Sequence, residues 1–210
     1  MGICRASFVQ GGDGGFTMAR LKYGGGGNWY WGYSAVPNML TFLKENTNVK
    51  VNEKIVTVSP TDKDFFSYPF LFLTGHGYMR FTEEEVARLR IHLTSGGFLF
   101  ANDSYGLIND FKREMKRVFP DKDLVELPFT HGIYNCYWKF SNGLPKIHKH
   151  DGKPPQAFGI FHEERLIVFF VYESDIGDGW EDPQVYNDPP EKREAALKMG
   201  TNIIIWSLLN

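Results

Sequence analysis

Three stretches of this 210-residue chain have residue types and spacings that suit chemistry. The first is Leu73-Thr-Gly-His76-Gly77, a histidine between two glycines that let a backbone come close to a ligand. The second is Asn102-Asp103-Ser104-Tyr105-Gly106, where an apolar run gives way to a helical pattern. Ser104 and Gly106 supply half of the GxSxG arrangement that sets a nucleophilic hydroxyl on a sharp strand-to-helix elbow, with Asn102 in place of the first glycine. The same residues also suit a helix cap, in which a short polar side chain accepts from the first N–H groups. If the two apolar runs are neighbouring strands, His76 and Asp103 meet at their ends. A carboxylate can orient an imidazole for general-base work or metal ligation, and a structural histidine bonding the next loop is the competing reading. The third stretch, His148-Lys-His150-Asp151, has the i, i+2 spacing with which extended backbone offers two imidazoles to one divalent metal. Two ligands do not complete a site, and an ordinary polar loop has the same composition.

Two further loops carry weaker signals. Asp175, Asp178, Glu181 and Asp182 alternate with Gly177 and Gly179 in an oxygen-rich segment that lacks the ligand order of an EF-hand. Gly24 to Gly27 is a glycine run ahead of a helix, where Gly25 and Gly26 would either present N–H groups to an anion or make a tight turn. It is neither GxGxxG nor a Walker A pattern. Trp29, Tyr30 and Trp31 come next and would stack on a ligand or cover the edge of the core.

The elements that must position these groups alternate between strand and helix. Phe16 to Lys22 reads as a first strand, Tyr33 to Glu45 as a helix, and Val49 to Val58 as one short strand or a hairpin piece. Pro69-Phe-Leu-Phe-Leu-Thr74 is a continuous apolar run, the pattern of a strand buried on both faces of a parallel sheet. Thr82 and Glu85 form a capping box, Val86, Leu89 and Leu93 recur on one face, and Gly96-Gly97 end that helix. Phe98 to Ala101 is a second buried strand. Leu107, Phe111, Met115 and Val118 mark another helix, with Lys112, Arg113, Lys116 and Arg117 on its solvated side. Leu124 to Pro155 is irregular and reads as a loop-rich insertion. Ala157 to Phe161 and Leu166 to Tyr172 read as a hairpin, and a final helix begins near Pro190 or Glu191.

Such alternation predicts a single α/β domain over residues 16–210, after a flexible leader over 1–15. Its sheet is mostly parallel with helices on both faces, flavodoxin-like in layout. Ligands of such sheets bind outside the carboxyl ends of the strands. That rule places Gly25, Gly26, Trp29, Trp31, His76, Asp103, Tyr105, Asp175 and Trp180 at one candidate binding edge.

Composition bounds the function. With 23 basic and 25 acidic residues and a net charge of -2, nothing global draws the chain to nucleic acid. No apolar run approaches the roughly 20 residues of a membrane helix, and the start lacks the apolar stretch of a signal peptide. Cys4 and Cys136 form no CxxC or Cys/His pattern. Aromatic content is 16%, more than a core of this size demands, which points to aromatics lining a surface or pocket.

The order of strand, capped helix and glycine-led strand, from Tyr68-Pro-Phe-Leu-Phe-Leu-Thr-Gly-His through Thr82-Glu-Glu-Glu to Gly96-Gly-Phe-Leu-Phe-Ala101, resembles the class I glutamine amidotransferase-like superfamily. The resemblance implies an elbow that delivers a catalytic cysteine. Here that position carries Asp103-Ser104, so glutaminase activity is not expected. More closely, Ala19-Arg-Leu-Lys-Tyr-Gly-Gly-Gly-Gly, Trp29-Tyr-Trp-Gly-Tyr-Ser-Ala35, Gly143-Leu-Pro-Lys-Ile-His148, His150-Asp-Gly-Lys-Pro154 and Gly177-Asp-Gly-Trp-Glu-Asp182 are similar to the bacterial family called domain of unknown function 4159. That resemblance implies the same fold, no assigned activity, and a placement at the cell envelope or outside the cell.

Two functions stand as expectations. One is a binding domain that holds a small polar ligand or a partner segment at the carboxyl edge. The other is a hydrolase, using Ser104 as nucleophile or a metal-bound water held by His76, Asp103, His148 and His150.

Overall fold

A computed structural model describes residues 14–209. The predicted leader over 1–15 lies almost wholly outside the described residues, and Cys4 with it. Seven strands form one sheet in the order β2-β1-β3-β4-β7-β6-β5: β1 Met18–Leu21, β2 Val56–Val58, β3 Phe70–His76, β4 Phe98–Tyr105, β5 Val125–Glu126, β6 Gln156–His162 and β7 Arg165–Tyr172. The first four and β7 run parallel. β6 and β5 add an antiparallel edge. The helices are α1 Ala35–Asn46, α2 Glu83–Thr94, α3 Ile108–Val118, the single turn α4 Pro183–Tyr186, and α5 Pro190–Leu209.

The two layers arise from the strand pattern. Alternate residues of a strand face opposite sides. Phe70, Phe72, Phe98, Phe100, Phe169 and Val171 pack with α1 and α5, while Leu71, Leu73, Leu99, Ala101, Val168 and Phe170 pack with α2 and α3. Both faces are therefore covered, and the central strands read as unbroken apolar runs. α2 starts on the expected capping box, in which Thr82 accepts from the Glu85 N–H and Glu85 from the Thr82 N–H. On α3 the basic side is not simply solvated. Arg113 and Arg117 both bond Glu114, which is buried and also accepts from the Phe81 N–H, so this network staples α3 to the loop before α2.

One expectation changes. Of the strand predicted over Val49–Val58 only Val56–Val58 forms, while Val51 makes an isolated bridge to Phe16. The predicted hairpin forms around the two-residue turn Glu163–Glu164, both at positive φ as a tight hairpin requires. Its second strand, β7, lies between β4 and β6 in the body of the sheet.

Candidate functional site

The chain turns from β1 to β2 on one side and then crosses to β3 on the other. The loops after β1 and β3 therefore border the switch in strand order where α/β sheets bind ligands. The glycine run fills that crevice with backbone. Gly24 and Arg80 exchange N–H···O bonds of 3.1 and 3.0 Å, and the Gly27 N–H donates to the Tyr78 carbonyl at 2.9 Å. Gly25 has φ 97°, and a Cβ there would lie 2.8 Å from the Arg80 nitrogen and the Tyr78 oxygen. The run is glycine because two backbones meet. The N–H groups of Gly24 and Gly27 are spent on that meeting.

Arg20 and Asn28, neither of which stands out in the sequence, hold the aromatic loop and His76 in place. Arg20 is buried at the end of β1 and donates to the carbonyls of Tyr30, Trp31 and Gly32, which fixes the aromatic loop. Asn28 accepts from the His76 N–H at 2.7 Å, and both ends of its amide lie against His76 Nδ1, Nδ2 at 2.9 Å and Oδ1 at 3.2 Å. Burial lowers the His76 pKa against the opposing charge of Asp175. Trp31 packs edge-on against this ring at 5.0 Å. Trp29 is half-buried against the core beneath Lys22.

The elbow predicted at Asn102–Gly106 is absent. β4 runs on to Tyr105 because β3 continues to pair with it, through Gly75–Asp103 and then, after a register shift that skips Ser104, through His76–Tyr105, and the sharp turn falls at Gly106 with φ 76°. Asp103 takes the capping role, accepting from the Leu107 and Ile108 N–H groups at 2.9 and 3.1 Å. Burial pushes its pKa up to about 6, those two bonds opposing. Ser104 lies buried inside the strand. Its hydroxyl donates to Asp178 Oδ1 at 3.0 Å and shares a 3.0 Å bond with the Thr74 hydroxyl. Asn102 ties the layer together, donating to both hydroxyls and accepting from the Gly177 N–H. Among the described residues Ser104 bonds a carboxylate and no imidazole, so the geometry of an activated serine is not formed.

The polar centre lies beyond β7. Asp175, at φ 60° and buried, accepts through Oδ2 from His148 Nδ1 at 2.7 Å and from His150 Nε2 at 2.5 Å. Its Oδ1 is buried without a hydrogen-bond partner. His148 donates its other nitrogen to Asp188 at 2.9 Å. Burial works against charge on this ring, but the two carboxylates outweigh it and raise the pKa to about 9. The pKa of His150 is likewise raised, Asp175 outweighing burial. Asp178 is pushed upward by burial and then by the charge of Asp175. It also accepts from Tyr186, whose hydroxyl accepts from the Trp31 indole. Glu173, at φ 58°, binds Lys146 and the Asp151 N–H. Two non-glycine residues of this loop, Glu173 and Asp175, thus hold left-handed backbone, a strain that clusters at functional sites.

A cleft of about 410 Å³ opens alongside, lined by Tyr105, Asn109, His150, Asp151, Lys153 and Glu173 among others. The structure thus brings His76, Asp103, Tyr105, His148, His150 and Asp175 to one edge. It does not bring Trp180 there. That ring is fully buried between Phe72 and Phe100, with its N–H on the Ala196 carbonyl. Tyr186 and Asp188 were invisible in the sequence, because they follow no strand and occur in no spaced pair.

No curated protein matches the chain. Residues 17–208 match the sequence model of the family described as Domain of unknown function (DUF4159). Since the match spans nearly the whole chain, the protein belongs to the DUF4159 family.

Proposed function

We propose that this domain binds a small polar ligand in the cleft at the carboxyl ends of β4 and β7, without glutaminase activity. One observation carries the reading. Buried carboxylates and imidazoles from several separate segments converge beside a cleft whose volume is in the range of small-molecule sites. The lining mixes Lys153 and His150 with Asp151 and Glu173, which suits a ligand bearing both donors and acceptors. The order of the five parallel strands, second-first-third-fourth-fifth along the chain, supports a flavodoxin-like, amidotransferase-like frame. Against glutaminase chemistry stands Cys136, whose thiol is bonded to the Ile133 and Asn202 carbonyls away from β4.

The test is a thermal-shift screen of small polar compounds, run in parallel on the wild type, Tyr105→Ala and Lys153→Ala. Both side chains are exposed enough to remove without disturbing the core. A ligand of this cleft stabilises the wild type by about 2.7 kcal/mol at a hundredfold excess over its Kd, and the variants by less. Compounds that stabilise all three proteins equally would remove the cleft from consideration.

A further inference from the structure

We propose that His148, Asp175 and Asp178 form a binding site for a divalent cation of the zinc class. The inference goes beyond the ligand cleft: both readings draw on the His148, His150, Asp175 and Asp188 network, but the cleft also needs its wall at Tyr105 and Lys153, so either can fail without the other.

One ligand atom from each of the three residues lies within 4.8 Å of the others. Zinc with bonds of about 2.1 Å sets tetrahedral ligands about 3.4 Å apart, so His148 Nδ1 and Asp175 Oδ2, now 2.7 Å apart, must part slightly while Asp178 draws in. A grouping of acidic residues alone would mean little. The independent observation is Asp175 Oδ1, an oxygen of a buried carboxylate in this cluster that has no hydrogen-bond partner. Buried polar atoms are almost always satisfied, and an orphan of this kind asks for an ion.

The surroundings match what a metal site requires outside its ligands. A metal-bound histidine usually donates its second nitrogen to a carboxylate, which fixes the ring and its tautomer. His148 already does so, with Nε2 on Asp188 and Nδ1 turned toward Asp175. A cation entering between Nδ1 and Asp175 replaces the proton on Nδ1, which leaves to solvent, while the Asp188 bond stays as it is. Asp178 is steadied by the hydroxyls of Ser104 and Tyr186, and Asp175 by His150. The predicted chelate of His148 with His150 therefore gives way to His148 with two aspartates, and His150 becomes a positioning residue. One nitrogen and two carboxylate ligands favour zinc or a similar transition metal over magnesium, which prefers oxygen and retained water.

The full chain, stripped of metal by chelator and dialysed, is titrated with zinc chloride by calorimetry, with circular dichroism confirming that each variant is folded. The expected result is one zinc per chain, with affinity lowered at least tenfold in His148→Ala and Asp178→Asn. Asp188→Asn, which meets the site only through His148 Nε2, lowers it about 10- to 100-fold. His162→Ala, on β6, and Lys153→Ala, in the cleft, bind zinc like the wild type. The proposal is overturned if the wild type shows no saturable zinc site, if His148→Ala, Asp178→Asn and Asp188→Asn all bind unchanged, or if magnesium competes as well as zinc at equal concentration. Lys153→Ala separates the two readings, since loss of cleft ligands with intact zinc binding affects only the cleft.

Discussion

His92 packs against the rings of Phe65 and Phe66 at 4.8 and 6.2 Å, on the α2 side of the sheet and far from the carboxyl edge. Its Nε2 donates to the Tyr68 carbonyl at 2.8 Å, and its Nδ1 is buried without a partner. Burial lowers its pKa to about 4, the Tyr68 bond opposing and Arg165 assisting. The folded pKa is depressed below the unfolded value of 6.5, so the unfolded chain binds the extra proton between pH 6.5 and 4. Stability therefore falls as pH falls through that window, by about 2 kcal/mol between pH 7 and 5. In His92→Gln, which keeps a donor for Tyr68, the drop in Tm from pH 7 to 5 should be smaller than in the wild type by roughly 4 to 8 °C. Parallel profiles would show that this ring is not the neutral buried group described. At the candidate site, His76, Asp103, Tyr105 and Asp175 were legible because each follows or ends an apolar run, and His148 with His150 because of their spacing. Asp188 and Asn28 were not, since what matters about them is a partner 40 or 48 residues away. Trp180 misled for the opposite reason: a loop position after a strand says nothing about which way an indole turns.

α5 shows how an element can be held by what it lacks. Gly200 lies in its middle, and a Cβ there would come 2.6 Å from the Trp180 ring and closer still to the Met39 sulfur. Helix propensity favours Gly200→Ala by about 1 kcal/mol. Overpacking costs about 1 to 3 kcal/mol, and Trp180 has no room to yield because its indole is bonded to α5 itself. The variant should lose up to about 2 kcal/mol, read as a Tm lower by as much as roughly 8 °C. A gain in Tm would mean that the contact relaxes freely. The elements most legible in the sequence were those with local signals, such as α2 between its capping box and its glycines. The strand at Val49–Val58 was overdrawn because alternation alone does not supply a neighbour to pair with. Nor could local pattern show that β7 leaves its hairpin partner at the edge and takes a central place.

Across the whole molecule, β3, β4 and β7 are paired on both sides and covered on both faces, whereas β5 is a two-residue edge with exposed side chains. Hydrogen exchange should therefore be slowest in β3, β4 and β7. It should be fastest across residues 141–155 and 24–34, which bear the site but make few regular bonds. Equal protection of β5 and β3 would contradict this gradient. The central position of β7 also bears on how the chain is made. Residues 165–172 are made some 60 residues after β4, yet they cover its free hydrogen-bonding edge. Until then a nascent chain displays an apolar, unpaired strand with no edge protection, the kind of template on which neighbouring chains add. Synthesis of this protein thus passes through an interval of exposure that ends with a single strand insertion. The same insertion brings Asp178 up to Ser104, so the polar centre is complete only in chains that have escaped that hazard.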